Sequence, residues 1–137
     1  MIRVDWIGGV AFKATPPSGS SFVMDLPEDE EGLNQGPTPL EALLSAAAAC
    51  SAIDVVLVLQ KKRLHIESYR VEVEWTRGPE GVYPRPITSI VIRHILKGDL
   101  SEAAVKHAVE LSDEKYCTVI YTLRQPTDVR SEFHIEP

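Results

Sequence analysis

The fold of this chain is decided by one apolar stretch, Leu40–Leu59, which reads LEALLSAAAACSAIDVVLVL, with sixteen apolar residues of twenty. Its start carries helix signals, because Thr38 can cap a helix, Pro39 suits the first helical position and Glu41 completes a capping box. Basic residues at its far end complement the helix dipole. The stretch therefore predicts a long core helix that runs to about Lys62.

Composition and charge restrict the class of protein. The 137 residues are 44% hydrophobic and 25% charged, which predicts one globular domain over residues 1–137. The net charge of −6 argues against a nucleic-acid partner. Carboxylates at Glu41 and Asp54 would be costly in a bilayer, so no membrane partner is expected. No signal peptide is recognisable at the N-terminus, and a cytoplasmic location is expected.

Alternating apolar and polar residues predict antiparallel strands on both sides of the helix. The strands are expected at residues 2–6, 10–14, 21–24, 69–76 and 87–96, with a hairpin turn at Gly8-Gly9. This order predicts an α+β fold in which antiparallel sheets wrap around a long hydrophobic helix.

The C-terminal third predicts one more helix and two closing strands. The helix is expected to begin with Asp99 as its cap, and its apolar stripe comprises Ala104, Val105, Ala108, Val109 and Leu111. The closing strands are expected at Thr118–Leu123 and Val129–Ile135.

The chain has two cysteines, and their role decides its function. Cys50 lies within the apolar helix, and Cys117 follows Lys115 and Tyr116 just before a predicted strand. Both can be inert core residues, since free cysteine is among the most buried residue types. They can also be one nucleophile and its resolving partner, which requires a cation or a helix N-terminus near the reactive thiol.

Two carboxylates of the helix bear on Cys50 in different ways. Glu41 is half a turn out of phase with Cys50 and about 13.5 Å away along the axis. In one straight helix the two cannot share a site, so a second chain or a helix break would be needed. Asp54 lies one turn after Cys50 on the same face, where a carboxylate disfavours a thiolate. Its expected role is to bond buried polar groups.

The four histidines lie in different elements without ligand-type spacing, and neither cysteine lies in a zinc-type spacing. No metal site and no bound cofactor are therefore expected.

Two motifs resemble the OsmC/Ohr superfamily of osmotically inducible and organic hydroperoxide resistance proteins. The first is GPTPLE at residues 36–41, followed by CSAIDVV at residues 50–56, and the second is AVELSDEKYC at residues 108–117. The resemblance covers nearly the whole chain and points to an OsmC-like branch. It implies an intertwined homodimer with two central helices packed back to back and active sites at the subunit interface.

The resemblance also implies a thiol-dependent peroxidase that reduces organic hydroperoxides. Cys50 would be the peroxidatic thiolate and Cys117 the resolving thiol, and an external dithiol would reduce the resulting disulfide. Glu41 would orient an arginine that holds the thiolate.

The chain departs from this pattern at the arginine, because none occurs between Phe12 and Pro39. The nearest cations are Lys13 and Arg3, and lysine cannot provide the bidentate fork of a guanidinium. An alternative function therefore stays open. The protein can be an OsmC-like relative without efficient turnover that binds a small apolar ligand or acts as a redox-responsive thiol pair.

Overall fold

The chain forms two compact units, Met1–Ala46 and Ala47–Pro137. The computed structural model describes residues 1–137. The long helix α1, Pro39–Lys61, begins in the first unit and continues into the second. Its helical bounds confirm the helix that the apolar stretch predicts. The single domain expected from the sequence stays a prediction.

The N-terminal unit contains a three-stranded antiparallel sheet in the order β1-β2-β3. The strands are β1, Arg3–Trp6, β2, Phe12–Thr15, and β3, Phe22–Met24. Gly8 and Gly9 both have positive φ angles, as the hairpin turn between β1 and β2 requires. All three predicted strands are therefore present, each shorter than or close to its expected length.

The loop after β3 folds around the buried carboxylate of Asp25. This carboxylate accepts hydrogen bonds from the backbone N–H groups of Leu26 (2.7 Å), Leu33 (3.2 Å) and Gln35 (3.1 Å). Burial raises the pKa of Asp25, but these backbone donors outweigh burial and the pKa is lowered. The acidic segment, which includes a 3-10 turn at Glu28–Glu30, is thus organised by an ionised residue just before it.

A close backbone contact also determines which residue can occupy position 36, just before α1. A Cβ atom on Gly36 would lie 2.1 Å from the carbonyl oxygen of Val23, so only glycine fits there. The capping box follows immediately. The Thr38 N–H donates to Glu41 Oε1 at 2.9 Å, and the Glu41 N–H donates to Thr38 Oγ1 at 3.1 Å. The capping role predicted for Thr38 and Glu41 is confirmed.

The C-terminal unit packs a long hairpin and two helices around the second part of α1. The hairpin pairs β4, Ser68–Arg77, with β5, Ile87–Lys97, in antiparallel register. After it come α2, Glu102–Leu111, a π-helical segment, Ser112–Tyr116, and the short helix α3, Thr118–Leu123. The core is centred on fully buried side chains from α1 and α2, namely Val55, Leu59 and Ala108.

Two predictions for the C-terminal unit are wrong, one for the cap of α2 and one for the type of the following element. The cap of α2 is Ser101, whose Oγ accepts a hydrogen bond from the Ala104 N–H at 3.2 Å, and not Asp99. Thr118–Leu123 is a helix and not a strand. Its β-branched residues favour a strand locally, but Ile120 is buried on one helical face, and packing overrides so weak a propensity.

The second closing strand is also absent, because residues 129–135 have no regular structure in this chain. Their apolar side chains alternate with polar ones, yet Val129, Phe133 and Ile135 are 80–91% exposed. A strand needs a hydrogen-bonded neighbour to be stable, and none is paired with this segment.

Helix α1 is long and apolar enough to cross a membrane by length and composition alone, with a mean hydropathy of 2.2 over 18 residues. The core helix of a soluble protein has the same properties, and Val55 and Leu59 of α1 are fully buried in the core. Other apolar residues of the helix, Ile53 and Leu57, are more than half exposed.

We expect Gly36→Ala to lower the free energy of unfolding by about 3 kcal/mol, because the added Cβ would overlap a backbone carbonyl that cannot rotate away. Gly19→Ala is the matched control. Gly19 has open space around it but, unlike Gly36, has a positive φ angle, so only the left-handed backbone cost of about 1 kcal/mol applies. Urea denaturation of both variants measures the difference. A loss at Gly36 no larger than that at Gly19 would contradict the close-approach argument.

Candidate functional site

Two thiols and a carboxylate meet in the C-terminal unit. The Sγ atoms of Cys50 and Cys117 and a carboxylate oxygen of Asp54 all lie within 4.8 Å of one another. Both cysteines are free thiols. Cys50 is half-buried and Cys117 is 2% exposed. The fold therefore brings together two cysteines that are far apart in sequence, and it adds Asp54 to them.

Local structure explains how each group reaches the cluster. Cys50 and Asp54 lie one turn apart on α1, so their side chains share a face. Cys117 directly follows the π-helical segment, and its N–H donates to the carbonyl oxygen of Ser112 at 2.9 Å. The wider π turn places Cys117 at the N-terminal end of α3. Such segments occur frequently at functional sites.

A hydrogen-bond network extends from the cluster to the β4–β5 hairpin. Ser112 Oγ donates to Asp54 Oδ2 at 3.0 Å and also lies 3.2 Å from Ser51 Oγ. Ser51 Oγ lies 3.3 Å from His94 Nε2, and His94 Nδ1 lies 2.6 Å from the Tyr69 hydroxyl. Asp54, two serines, a histidine and a tyrosine are thus joined in one continuous chain of polar contacts.

The pKa values of Tyr69 and His94 determine which of their atoms donate and which accept hydrogen bonds in this network. Burial raises the pKa of Tyr69 to about 12, so its hydroxyl keeps its proton and donates to His94 Nδ1. Burial lowers the pKa of His94 and outweighs the opposing effect of Asp113. A neutral His94 that accepts at Nδ1 carries its proton on Nε2 and donates it to Ser51. At its other end, the Ser112 hydroxyl donates to the Asp54 carboxylate.

The environment of Cys117 favours its neutral thiol. Burial, together with the neighbouring Cys50 and Asp54, raises the pKa of Cys117 to about 11, although the backbone N–H of Ile120 acts in the opposite direction. Cys117 is therefore protonated at neutral pH. It reacts only when a proton acceptor or an electrophilic sulfur is already next to it.

A cavity of about 380 Å³ lies beside this network. Its apolar walls come mainly from β5 and α3, including Ile90, Ile92 and Ile120. Its polar lining residues are Thr88, Ser89, His94, Asp113 and Arg124. This is within the size range of small-molecule sites, which combine apolar walls with a few polar groups. His94 thus belongs both to the cavity wall and to the network that reaches the thiols.

The remaining site residues that the sequence predicts lie in the N-terminal unit. Glu41 is exposed and occupied in the capping box. Arg3 Nε pairs with Asp5 Oδ1 at 2.9 Å on β1, and Lys13 is exposed on β2. The roles proposed for these three residues toward the thiol of Cys50 stay predictions.

Sequence reasoning missed Ser51, Ser112 and Tyr69. Serine within an apolar helix pattern is a weak signal for a buried hydrogen bond, and Ser51 directly follows Cys50. Both serines are fully buried. The hydrogen-bonding role expected for Asp54 is present, and the same residue also lies against both thiols.

We expect stability to fall as the pH is lowered below about 6.5, the ordinary pKa of histidine. Because the folded state lowers the pKa of His94, the unfolded chain binds more protons in the window just below 6.5, and acid favours unfolding there. Urea denaturation at pH 7.5 and pH 5.5 measures this loss.

The control for this pH dependence is His107, which is exposed on α2. His107→Gln should keep the acid-induced loss, and His94→Gln should reduce it. Equal losses in both variants would show that the network around His94 does not carry the effect.

The fold and the thiol cluster define an α+β protein with a candidate cysteine redox site. The chain belongs to the OsmC-like protein family, whose sequence model matches residues 32–132. This confirms the family resemblance and the fold class that the sequence indicates.

Individual relatives agree with this assignment. Protein YhfA of Escherichia coli (strain K12) is 38% identical over 134 residues, which cover 97% of this chain and 96% of YhfA. A solved structure of a hypothetical protein from Aquifex aeolicus VF5 is similar with a TM-score of 0.76, at 27% identity and coverage of 90% and 86%. An organic hydroperoxide resistance protein OsmC from Legionella pneumophila shares the fold with a TM-score of 0.63, at 16% identity and coverage of 90% and 89%.

Proposed function

We propose that this protein is a cytoplasmic thiol-dependent peroxidase that reduces organic hydroperoxides through Cys50 and Cys117. The observation that carries the proposal is the proximity of the two free thiols in a fold whose relatives include hydroperoxide resistance proteins. Cys50 is the accessible member of the pair and Cys117 is the buried one. Exposure therefore favours Cys50 as the thiol that meets the peroxide.

The proposed reaction has two steps on the protein. The Cys50 thiolate attacks one peroxide oxygen, the O–O bond breaks, and the alkoxide leaves with a proton as the alcohol. The Cys50 sulfenic acid then condenses with Cys117, and the Cys117 proton leaves with the hydroxide as water. An external dithiol reduces the resulting disulfide. No bound cofactor takes part.

The environment of Cys117 fits a resolving role better than a peroxidatic one. A thiol with a pKa near 11 is a poor first nucleophile at neutral pH. It becomes reactive when a sulfenic acid forms within a few ångströms, because the attack is then intramolecular.

The surroundings of the cavity support an organic substrate. Five of its eleven lining residues are isoleucine or leucine, which favour an apolar substituent over hydrogen peroxide, and the cavity is connected to the thiols through His94 and the hydrogen-bond network, since neither cysteine lines it. Arg124 is the one guanidinium on its lining, and its Nη1 donates to the carbonyl oxygen of Asp113 at 2.9 Å.

A homodimer is part of the proposal. Helix α1 is continuous from Pro39 to Lys61, so no break brings Glu41 toward Cys50, and a second copy would have to supply it. Ile53 and Leu57 of α1 are 59% and 57% exposed, which is an unusual placement for two large aliphatic residues of a core helix. Packing against the same helix of a second copy would bury them.

A redox-responsive thiol pair without efficient turnover is the second candidate. It is favoured by Asp54, whose carboxylate lies against both thiols and disfavours a thiolate. It is also favoured by the absence of arginine between Phe12 and Pro39. Lys13 and Arg3 are the cations that the sequence offers for an activation of Cys50.

One equivalent of cumene hydroperoxide should oxidise the reduced protein within seconds to minutes, with a loss of about two mass units as the disulfide forms. Cys50→Ser should abolish the change. The Cys117→Ser variant should instead gain about 16 mass units, because the sulfenic acid on Cys50 has no second thiol with which to form a disulfide. Intact-protein mass spectrometry measures all three, with Ser45→Ala on the exposed part of α1 as the control.

Repeated turnover with dithiothreitol separates the two candidates. Sustained peroxide consumption supports the peroxidase, and a single oxidation that is not followed by turnover supports the redox-responsive pair. Oxidation that persists in Cys50→Ser would contradict both assignments of Cys50.

The dimer proposal predicts a particle of twice 15.2 kDa in sedimentation velocity. Ile53→Glu should shift it toward the monomer, because a carboxylate would be buried between the helices. Val82→Glu is the matched control, since Val82 is 56% exposed in the loop between β4 and β5. Far-UV circular dichroism checks that both variants fold. A monomeric wild-type protein, or a dimer unaffected by Ile53→Glu, would contradict this interface.

A further inference from the structure

The cluster at the candidate site has the composition of a metal site. Its three side chains are two thiols and one carboxylate, which are ligands that zinc takes in proteins. Around one tetrahedral zinc ion, bond lengths of about 2.3 Å to sulfur and about 2.1 Å to oxygen put the two sulfurs about 3.8 Å apart and each sulfur about 3.6 Å from the oxygen. The three atoms of Cys50, Asp54 and Cys117 lie within 4.8 Å of one another, so small side-chain rotations would bring them to one ion.

The charge of Asp54 is uncompensated within the chain. Asp54 is half-buried, its carboxylate accepts one hydrogen bond, from Ser112, and it takes part in none of the ion pairs of the structure. Removing a carboxylate from water without a cationic partner is costly. A cation among Asp54 and the two cysteines would compensate this charge.

Ser112 provides the support that metal sites commonly have around their ligands. Its hydroxyl donates to Asp54 Oδ2 and fixes that oxygen, which leaves Oδ1 free of hydrogen bonds. Groups that orient a ligating carboxylate in this way affect metal affinity about 10- to 100-fold. Ser112 is itself fully buried, and the network through Ser51 holds it in place.

We propose that Cys50, Cys117 and Asp54 bind a thiophilic divalent cation, zinc above all, with the fourth coordination position left to water. This goes beyond the proposed peroxidase and departs from the sequence expectation that no metal site is present. That expectation rested on spacing along the chain, and this site is assembled from α1 and the start of α3.

Metal binding and disulfide formation exclude each other at this site. Both need the same two sulfur atoms, and a disulfide offers zinc no thiolate. If the proposed function also holds, an organic hydroperoxide takes two electrons from the two thiolates, and with two protons it yields the alcohol and water. The sulfurs form the disulfide and the zinc ion is released. The reduced protein would then hold zinc until it is oxidised.

Titration of the reduced, full-length protein with Co²⁺ tests the site without peroxide. Binding should produce a sulfur-to-cobalt charge-transfer band in the near ultraviolet, and Zn²⁺ should remove it by displacing cobalt. Competition with a chromogenic chelator gives the zinc affinity. Cys50→Ser and Cys117→Ser should each weaken it at least tenfold, and Asp54→Asn should do so with both thiols intact. Ser112→Ala should weaken it about tenfold through the loss of support.

Two controls keep this test decisive. His107→Gln removes an exposed potential ligand on α2 and should leave the affinity unchanged. The wild-type protein oxidised with diamide keeps its sequence and should lose cobalt binding with the disulfide. A wild type without the charge-transfer band, or equal affinity in Asp54→Asn and the wild type, overturns the proposed three-ligand site.

The result of the metal-binding test can be distinguished from the result of the peroxidase test. Disulfide formation is measured on chelator-treated protein with peroxide, and metal binding is measured without it. Either property can therefore fail while the other stands.

Discussion

The candidate site depends on one buried junction at the hydroxyl group of Ser112. This hydroxyl reaches Asp54 and Ser51 on α1, and it thereby ties the turn after α2 to the long helix. Ser112 also accepts the N–H of Cys117 at its carbonyl oxygen. A fully buried polar group that loses its partner costs about 1–3 kcal/mol. One residue therefore both stabilises the junction and positions the second thiol against the first.

Small side chains on α1 make this junction possible. Ala47 and Ser51 are fully buried on the helix face one turn apart, and neither extends far from the backbone. The π-helical segment and α3 can consequently approach the helix closely enough for hydroxyl groups to meet. A larger residue at either position would separate the elements, and packed interiors tolerate added volume poorly.

The charges around the two thiols differ from those of an activated cysteine, which has a positive charge beside its sulfur. The two sulfurs lie beside a carboxylate, and the neighbouring His94 is neutral, so the C-terminal unit by itself provides negative charge and hydrogen-bond donors around them. Thiolate chemistry needs positive charge. The source of that charge decides how reactive Cys50 is. The cavity and the hydrogen-bond network are present whatever that source is.

The sequence by itself determined the elements with a strong local signal. Several signals depend on residues close together in the chain, namely the apolar run of α1, the strand patterns of β4 and β5, the glycine turn after β1 and the reciprocal cap of Thr38 and Glu41. All of these are confirmed. Two motifs were sufficient to indicate the family. Where the local signal competed with packing, as in Thr118–Leu123, the sequence predicted the wrong element.

Only the tertiary structure decided what surrounds the thiols. Asp54 and Ser51 are on the same helix as Cys50, but Ser112, Cys117 and His94 come from segments far away in sequence. A serine or histidine that will become buried has no periodic signature, because its partner is chosen by the packing of separate elements and not by its neighbours in the chain. The composition of the site is therefore a property of the fold, whereas its two cysteines could be identified from the sequence.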